Sequence, residues 1–202
     1  MLNLLIKLAF FFKQPLLIIT TNKDPLSKQA ISHILTFHSK RFKPKIIQQW
    51  TFWDIILNNV FLLSVSKKEN LEFFIESAQK SIFLINQTEE ISLAKIKKII
   101  KFLTPDGTTI FNSDNQEIKE IDGFSFGFTK KANLKASDLH ITEKETNFKI
   151  EYEGNIVPIW LSGKYKKKEI YSILAACGCA LQLNFNLVEI SQALKEFRGK
   201  NQ

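Results

Sequence analysis

The sequence predicts an α/β fold: a mostly parallel sheet flanked by helices, with a small antiparallel β section in the second half. Three observations lead there. Short, continuous apolar runs such as "VFLLSV" (60–65) and "SIFLIN" (81–86) lack the alternation of a half-exposed strand, as expected for strands covered on both faces. Between them lie stretches with helical spacing of apolar residues, and strand–helix alternation implies right-handed crossovers and parallel pairing. After residue 123 the pattern changes to closely spaced short strands joined by turns.

Taken in order, residues 1–15, "MLNLLIKLAFFFKQP", form an apolar N-terminal helix. The apolar run Leu8–Phe12 is far shorter than the about 20 residues a membrane span needs. A Phe-rich face flanked by Lys7 and Lys13 is compatible with docking on the core or with shallow contact with a membrane surface. Residues 16–202 are expected to form one domain. Leu16–Thr20 reads as a buried strand, Ser27–Phe37 as a helix and Lys45–Gln49 as a short strand. Val60–Val65 is the next strand, and Asn70–Gln79 the next helix. Ser81–Asn86 is a strand, followed by an amphipathic helix over Ser92–Leu103 with its lysines outward. "TPDG" makes a turn into a strand at Thr108–Asn112. The segments 124–128, 135–141, 147–153 and 156–161 read as antiparallel strands, with a hairpin turn at "YEGN" between the last two. Glu169–Leu183 and Leu187–Phe197 close the chain as helices.

Composition narrows the function classes. The 202 residues carry a net charge of +8, but the lysines are spread along the chain. No nucleic-acid-binding motif accompanies the densest cluster, Lys164 and Lys166–Lys168, so these read as solvated surface. Cys177 and Cys179 lie two apart in an apolar helix, a poor metal-ligand spacing that reads as buried thiols in a reducing compartment. The three histidines share no metal-ligand spacing, and no metal ligands are assigned.

The strand–loop–helix stretch "LLIITTNKDPLSKQAISHIL" (16–35) has the layout of a phosphate-binding loop, yet it holds no glycine. Further on come "DGTTIFNSDN" (106–115), "FGF" (126–128), "LKASDLHITEKETNFKIEYEGN" (134–155) and "EIYSILAACGCALQLNFNLVEISQALKEF" (169–197). Their order and spacing resemble the central, ATPase domain of the Mur ligases, especially the D-alanyl-D-alanine-adding branch. The resemblance covers residues 16–197. It implies a P-loop NTPase-like fold, a cytoplasmic location, and descent from enzymes that use ATP and Mg2+ to activate a carboxylate for amide-bond formation in peptidoglycan precursors. It also implies that the family's N-terminal and C-terminal domains are absent.

Carried over residue by residue, the family's loop motif T-G-x-N-G-K-T-(T/S)-T-K falls on residues 19–28. Thr20, Thr21, Asn22, Lys23, Ser27 and Lys28 become the vestigial nucleotide loop. Thr20 and Lys23 stand where glycines let loop amides approach phosphate. Asp24 replaces the phosphate-binding lysine, and Pro25 replaces the Mg2+-binding hydroxyl. Asn86, Asn112 and Asp114 are the remaining nucleotide-side candidates. Ser64 falls where the family places a metal-binding glutamate, a shortened loop, "QTEE" (87–90), where it has a histidine, and Ile96 where it carbamoylates a lysine. Glu89 and Glu90 are substitute metal ligands or the acidic start of a solvated helix.

Residues that make the scaffold are thus kept, while those that make the chemistry are not. No catalytic residue is assigned, and no cofactor is expected unless the family activity survives, in which case ATP and Mg2+ are. The first expectation is a noncatalytic binding or scaffold protein, with a cell-wall ligase or a separate C-terminal-domain chain as partner. The alternatives are a ligase subunit completed by a partner chain, and a basic module for nucleic acid or anionic membrane.

Overall fold

The computed structural model describes residues 4–21, 24–65, 71–89, 91–118 and 120–199. Helix α1 (Leu4–Lys13) leads into strand β1 (Leu16–Thr20). Helix α2 (Pro25–Phe37), strand β2 (Pro44–Ile46), helix α3 (Phe52–Leu57) and strand β3 (Val60–Ser64) follow. Next come α4 (Leu71–Glu76), β4 (Lys80–Ile85), α5 (Leu93–Phe102) and β5 (Thr108–Asn112). A 3-10 turn (Gln116–Ile118) precedes β6 (Phe124–Gly127). The antiparallel part is β7 (Leu134–Ile141), β8 (Glu145–Tyr152) and β9 (Asn155–Ser162). Helices α6 (Lys167–Leu181) and α7 (Leu187–Glu196) complete the fold.

The described strands form one sheet in the order β2-β3-β1-β4-β5-β6-β7-β8-β9. Strand β1 lies between β3 and β4, with Leu16 opposite Val60 on one side and Lys80 on the other. It is buried along its whole length, and alternate residues feed two cores. Leu16 and Ile18 pack toward α2, α6 and α7. Leu17 and Ile19 pack on the other face with Ile6 and Phe10 of α1, Ile55 of α3 and the inner sides of α4 and α5. The unalternating apolar runs of β1, β3 and β4 follow from this double coverage.

Two features differ from the sequence reading. Helix α3 was not expected. Its six residues are too few to show a period, but Thr51 caps it by accepting from the Asp54 amide at 3.1 Å. Strand β6 is a correction: it pairs parallel with β5 and with the start of β7, not antiparallel. A reciprocal clasp fixes that direction. Asn133 accepts through Oδ1 from the amide and hydroxyl of Ser125 at 2.8 Å, and its own amide donates to Ser125 Oγ at 3.0 Å. The six-residue connection thereby returns the chain to the same end of the sheet. Antiparallel pairing holds for β7–β8–β9, whose second turn places both Glu153 and Gly154 at positive φ, as a type I′ hairpin requires.

Cys177 and Cys179 are fully buried in α6, and burial pushes both thiols up to about 12. The nucleophilic thiolate is therefore scarce at neutral pH. Both cysteines are expected to stay inert to a water-soluble disulfide reagent in the native protein and to titrate fully in denaturant. Fast reaction of either in the native state would show that α6 is not packed as described.

Candidate functional site

In an open α/β sheet the functional crevice lies at the carboxyl ends of the strands, where successive connections diverge. Here that point falls between β1, whose chain turns toward β2, and β4, whose chain turns toward β5. A cleft of about 410 Å³ opens beside it, and Asn86, Glu89, Asn112, Asp114, Lys167 and Tyr171 are among the residues that line it.

The loop after β1 ends at helix α2, where the sequence resemblance puts the phosphates. Asp24 is the helix N-cap. Its Oδ1 accepts from the Leu26 amide at 3.0 Å and the Ser27 amide at 3.2 Å, and Pro25 occupies the first helical turn without an N–H of its own. The amides that a helix N-terminus would offer to an anion thus already hold a carboxylate of the same chain. The other oxygen, Oδ2, accepts from the Ser172 hydroxyl at 2.5 Å and from Asn86 Nδ2 at 3.4 Å, fastening α2 to α6 and β4. Ser27 is buried, its hydroxyl donating to the Asp24 carbonyl at 3.3 Å.

A second network runs beneath the loop. Lys28 is buried, and its ammonium donates to Ser64 Oγ at 2.5 Å. Thr20 donates to the Leu63 carbonyl and to Ser64 Oγ, both at 3.3 Å. Burial holds the Lys28 ammonium below its ordinary value, against the opposing pull of the Asp24 carboxylate. Ser64, at the position of the family's metal-binding glutamate, therefore faces a cation. Thr21 donates to the Gln87 carbonyl at 2.7 Å, tying the loop to the end of β4.

The nucleotide-side candidates do gather in one place. Asn112 Nδ2 donates to the carbonyl and side-chain oxygens of Asn86, both at 3.4 Å, and its Oδ1 accepts from the Asp114 amide at 3.0 Å. Asp114 accepts from the amides of Phe128 and Thr129 at 2.8 and 3.1 Å and from the Tyr171 hydroxyl at 2.9 Å. Burial first, and Asp114 second, raise the Tyr171 hydroxyl above its ordinary value, so the phenol remains a donor. Asn22, Lys23 and Glu90 lie outside the described residues. Glu89 lines the cleft, and Ile96 is fully buried in the core. Among the described residues, no three His, Cys, Asp or Glu side chains are placed to hold a metal ion. The sequence reading placed Asp24 only as the replacement for the phosphate-binding lysine and missed its tie to Ser172. The run Asp-Pro-x-Ser was nevertheless a legible helix start.

These elements define an α/β domain whose crevice has the position, and part of the scaffold, of a nucleotide site. The chain is related to the Mur ligases, the ATP-dependent amide ligases of peptidoglycan synthesis, and has the fold of their central domain. No family model matches it. The UDP-N-acetylmuramate--L-alanine ligase of Francisella tularensis subsp. novicida (strain U112) is 30% identical over 119 residues, 57% of this chain and 25% of the relative. The UDP-N-acetylmuramoylalanyl-D-glutamyl-2,6-diaminopimelate--D-alanyl-D-alanyl ligase from Acinetobacter baumannii superimposes with a TM-score of 0.73 at 15% identity. The match covers 96% of this chain and 49% of that one. MurF ligase from Thermotoga maritima, solved in complex with ADP, gives a TM-score of 0.73 at 14% identity, over 96% of this chain and 52% of its own. The chain thus spans about a quarter of the curated relative and about half of the solved chains. The sequence relative adds L-alanine, whereas the branch singled out from the motifs, the D-alanyl-D-alanyl one, is among the fold neighbours.

Proposed function

We propose that this chain is a Mur-ligase-related domain with a retired nucleotide site, acting in the cytoplasm as a binding or scaffold protein rather than as an ATP-driven ligase. One observation carries the reading: the Asp24 carboxylate sits on the α2 amides and is locked there by Ser172 and Asn86. A triphosphate would have to displace it and then face its charge. The residues do not fit Mg2+ either, because the Lys28 ammonium occupies the Ser64 hydroxyl and no ligand cluster replaces it among the described residues. No reaction step is therefore assigned. The partner on this reading is a cell-wall ligase or a chain that carries the family's third domain.

Calorimetry with ATP and ADP, each with Mg2+, tests the proposal. No binding heat is expected up to about 1 mM nucleotide, a free energy no tighter than about −4 kcal/mol. Micromolar, Mg2+-dependent binding, or steady release of phosphate from ATP, would overturn it.

A further inference from the structure

Helix α1 is apolar on two sides. Ile6 and Phe10 enter the core, while Leu4, Leu5, Leu8, Phe11 and Phe12 are exposed, Phe12 at 79%. At 100° per residue these five cover an arc of about 120°. A docked helix of a self-contained domain would carry polar residues there. Helix α3 does the same beside it: Ile55 is buried, while Phe52, Trp53, Ile56 and Leu57 are exposed, Trp53 at 69%. The two helices are joined, since the Lys13 ammonium donates to the carbonyls of Ile55 at 2.5 Å and Ile56 at 2.7 Å. The nine exposed apolar side chains thus lie on two neighbouring helices rather than scattered over the molecule, where they would need no explanation.

Helix α1 carries two lysines, and α3 a single carboxylate. Helix α1 has no acidic residue, and Lys7 and Lys13 flank its apolar arc. Lys43 lies close enough to Lys13 to help lower the Lys13 ammonium below its ordinary value, after burial. The carboxylate of α3, Asp54, is neutralised by Lys45 at 2.9 Å and accepts from the Thr51 hydroxyl at 2.7 Å. Leu, Phe and Trp bordered by lysines, with no free carboxylate on either helix, are complementary to an anionic lipid surface. Two short helices lying side by side suit an interface better than a span, and no described helix is long and apolar enough to cross a membrane.

We infer that the α1–α3 face is a peripheral membrane-docking surface, seating Phe12 and Trp53 at the acyl boundary of an anionic leaflet with lysines at the headgroups. The test is flotation of the purified full chain with vesicles of phosphatidylcholine alone or with about one-third phosphatidylglycerol, at low and high salt. Binding to the anionic vesicles is expected to exceed binding to neutral ones about tenfold, and to fall with salt. The double variant Phe12→Asp/Trp53→Asp, at exposed positions, should keep the wild-type melting curve and lose about tenfold in vesicle binding. Lipids brominated along the acyl chain should quench tryptophan fluorescence of the wild type and spare the double variant. Absence of binding to anionic vesicles overturns the inference, as does binding that the double variant leaves intact. Concentration-dependent self-association by light scattering, abolished by the double variant and without vesicle binding, overturns it in favour of a second copy. None of these readouts involves nucleotide, so they stand apart from the test of the retired site.

Discussion

Replacing Phe10 by alanine is expected to destabilise the chain by about 3–5 kcal/mol, the usual range for removing a fully buried phenyl ring from a core. Phe10 has no exposed surface. Its ring meets Phe74 edge-on at 4.9 Å and Trp50 edge-on at 5.6 Å, and lies 5.8 Å from Phe61. Trp50 in turn stacks on Phe74 at 4.6 Å. The cavity would open at the centre of this group, and rings packed against a sheet have little freedom to close it. A second effect follows from the way α1 is attached. Ile6 and Phe10 are its buried residues, so Phe10→Ala should also release the helix. Urea denaturation reads the first effect, and faster amide hydrogen exchange across residues 4–13 reads the second. A loss under about 1 kcal/mol with unchanged exchange would mean that α1 is not held by this ring.

The second large effect concerns Asp24. Changing it to alanine removes the cap of α2, which typically costs about 0.5–2 kcal/mol. It also takes an acceptor from Ser172 and Asn86, both of which are buried. Together these should cost about 2–4 kcal/mol. Asp24→Asn keeps the cap but puts a donor where Oδ2 accepted from Ser172 and Asn86, so it should lose about 1–2 kcal/mol, less than the alanine variant. In the alanine variant the α2 amides become free, and inorganic phosphate should then raise its melting temperature. The wild type should show no such response, its own carboxylate already being in place. An equal response in both proteins would show that Asp24 does not occupy the anion position.

Much of the fold was legible because burial on both faces leaves a plain mark. "LLIIT", "VFLLS" and the run ending "FLI" are β1, β3 and β4 because both faces of the central strands are covered and apolar residues fill most of their positions. Strand direction leaves no such mark. Nothing in "FSFG" distinguishes parallel from antiparallel; the information lies in the Ser125–Asn133 clasp eight residues away, between side chains common in any loop. Helix α3 was hidden for a different reason, since Phe52, Trp53 and Ile56 point outward and break the amphipathic pattern. At the site, the loss of glycine and of the loop lysine was readable. The lock that Asp24 forms was not, because Asp24 and Ser172 lie 148 positions apart. Only folding makes them neighbours.

The placement of β1 also bears on how the chain reaches its fold. This strand precedes both of its partners, β3 and β4, so neither neighbour exists until residues 60–64 and 80–85 have followed. The β7–β8–β9 meander, by contrast, pairs residues close in sequence, with Tyr152 and Asn155 facing each other across a two-residue turn. Closing short loops costs less entropy than closing long ones. In refolding from denaturant the meander is therefore expected to organise before the centre of the sheet, where the apolar β1 segment waits for partners more distant in sequence.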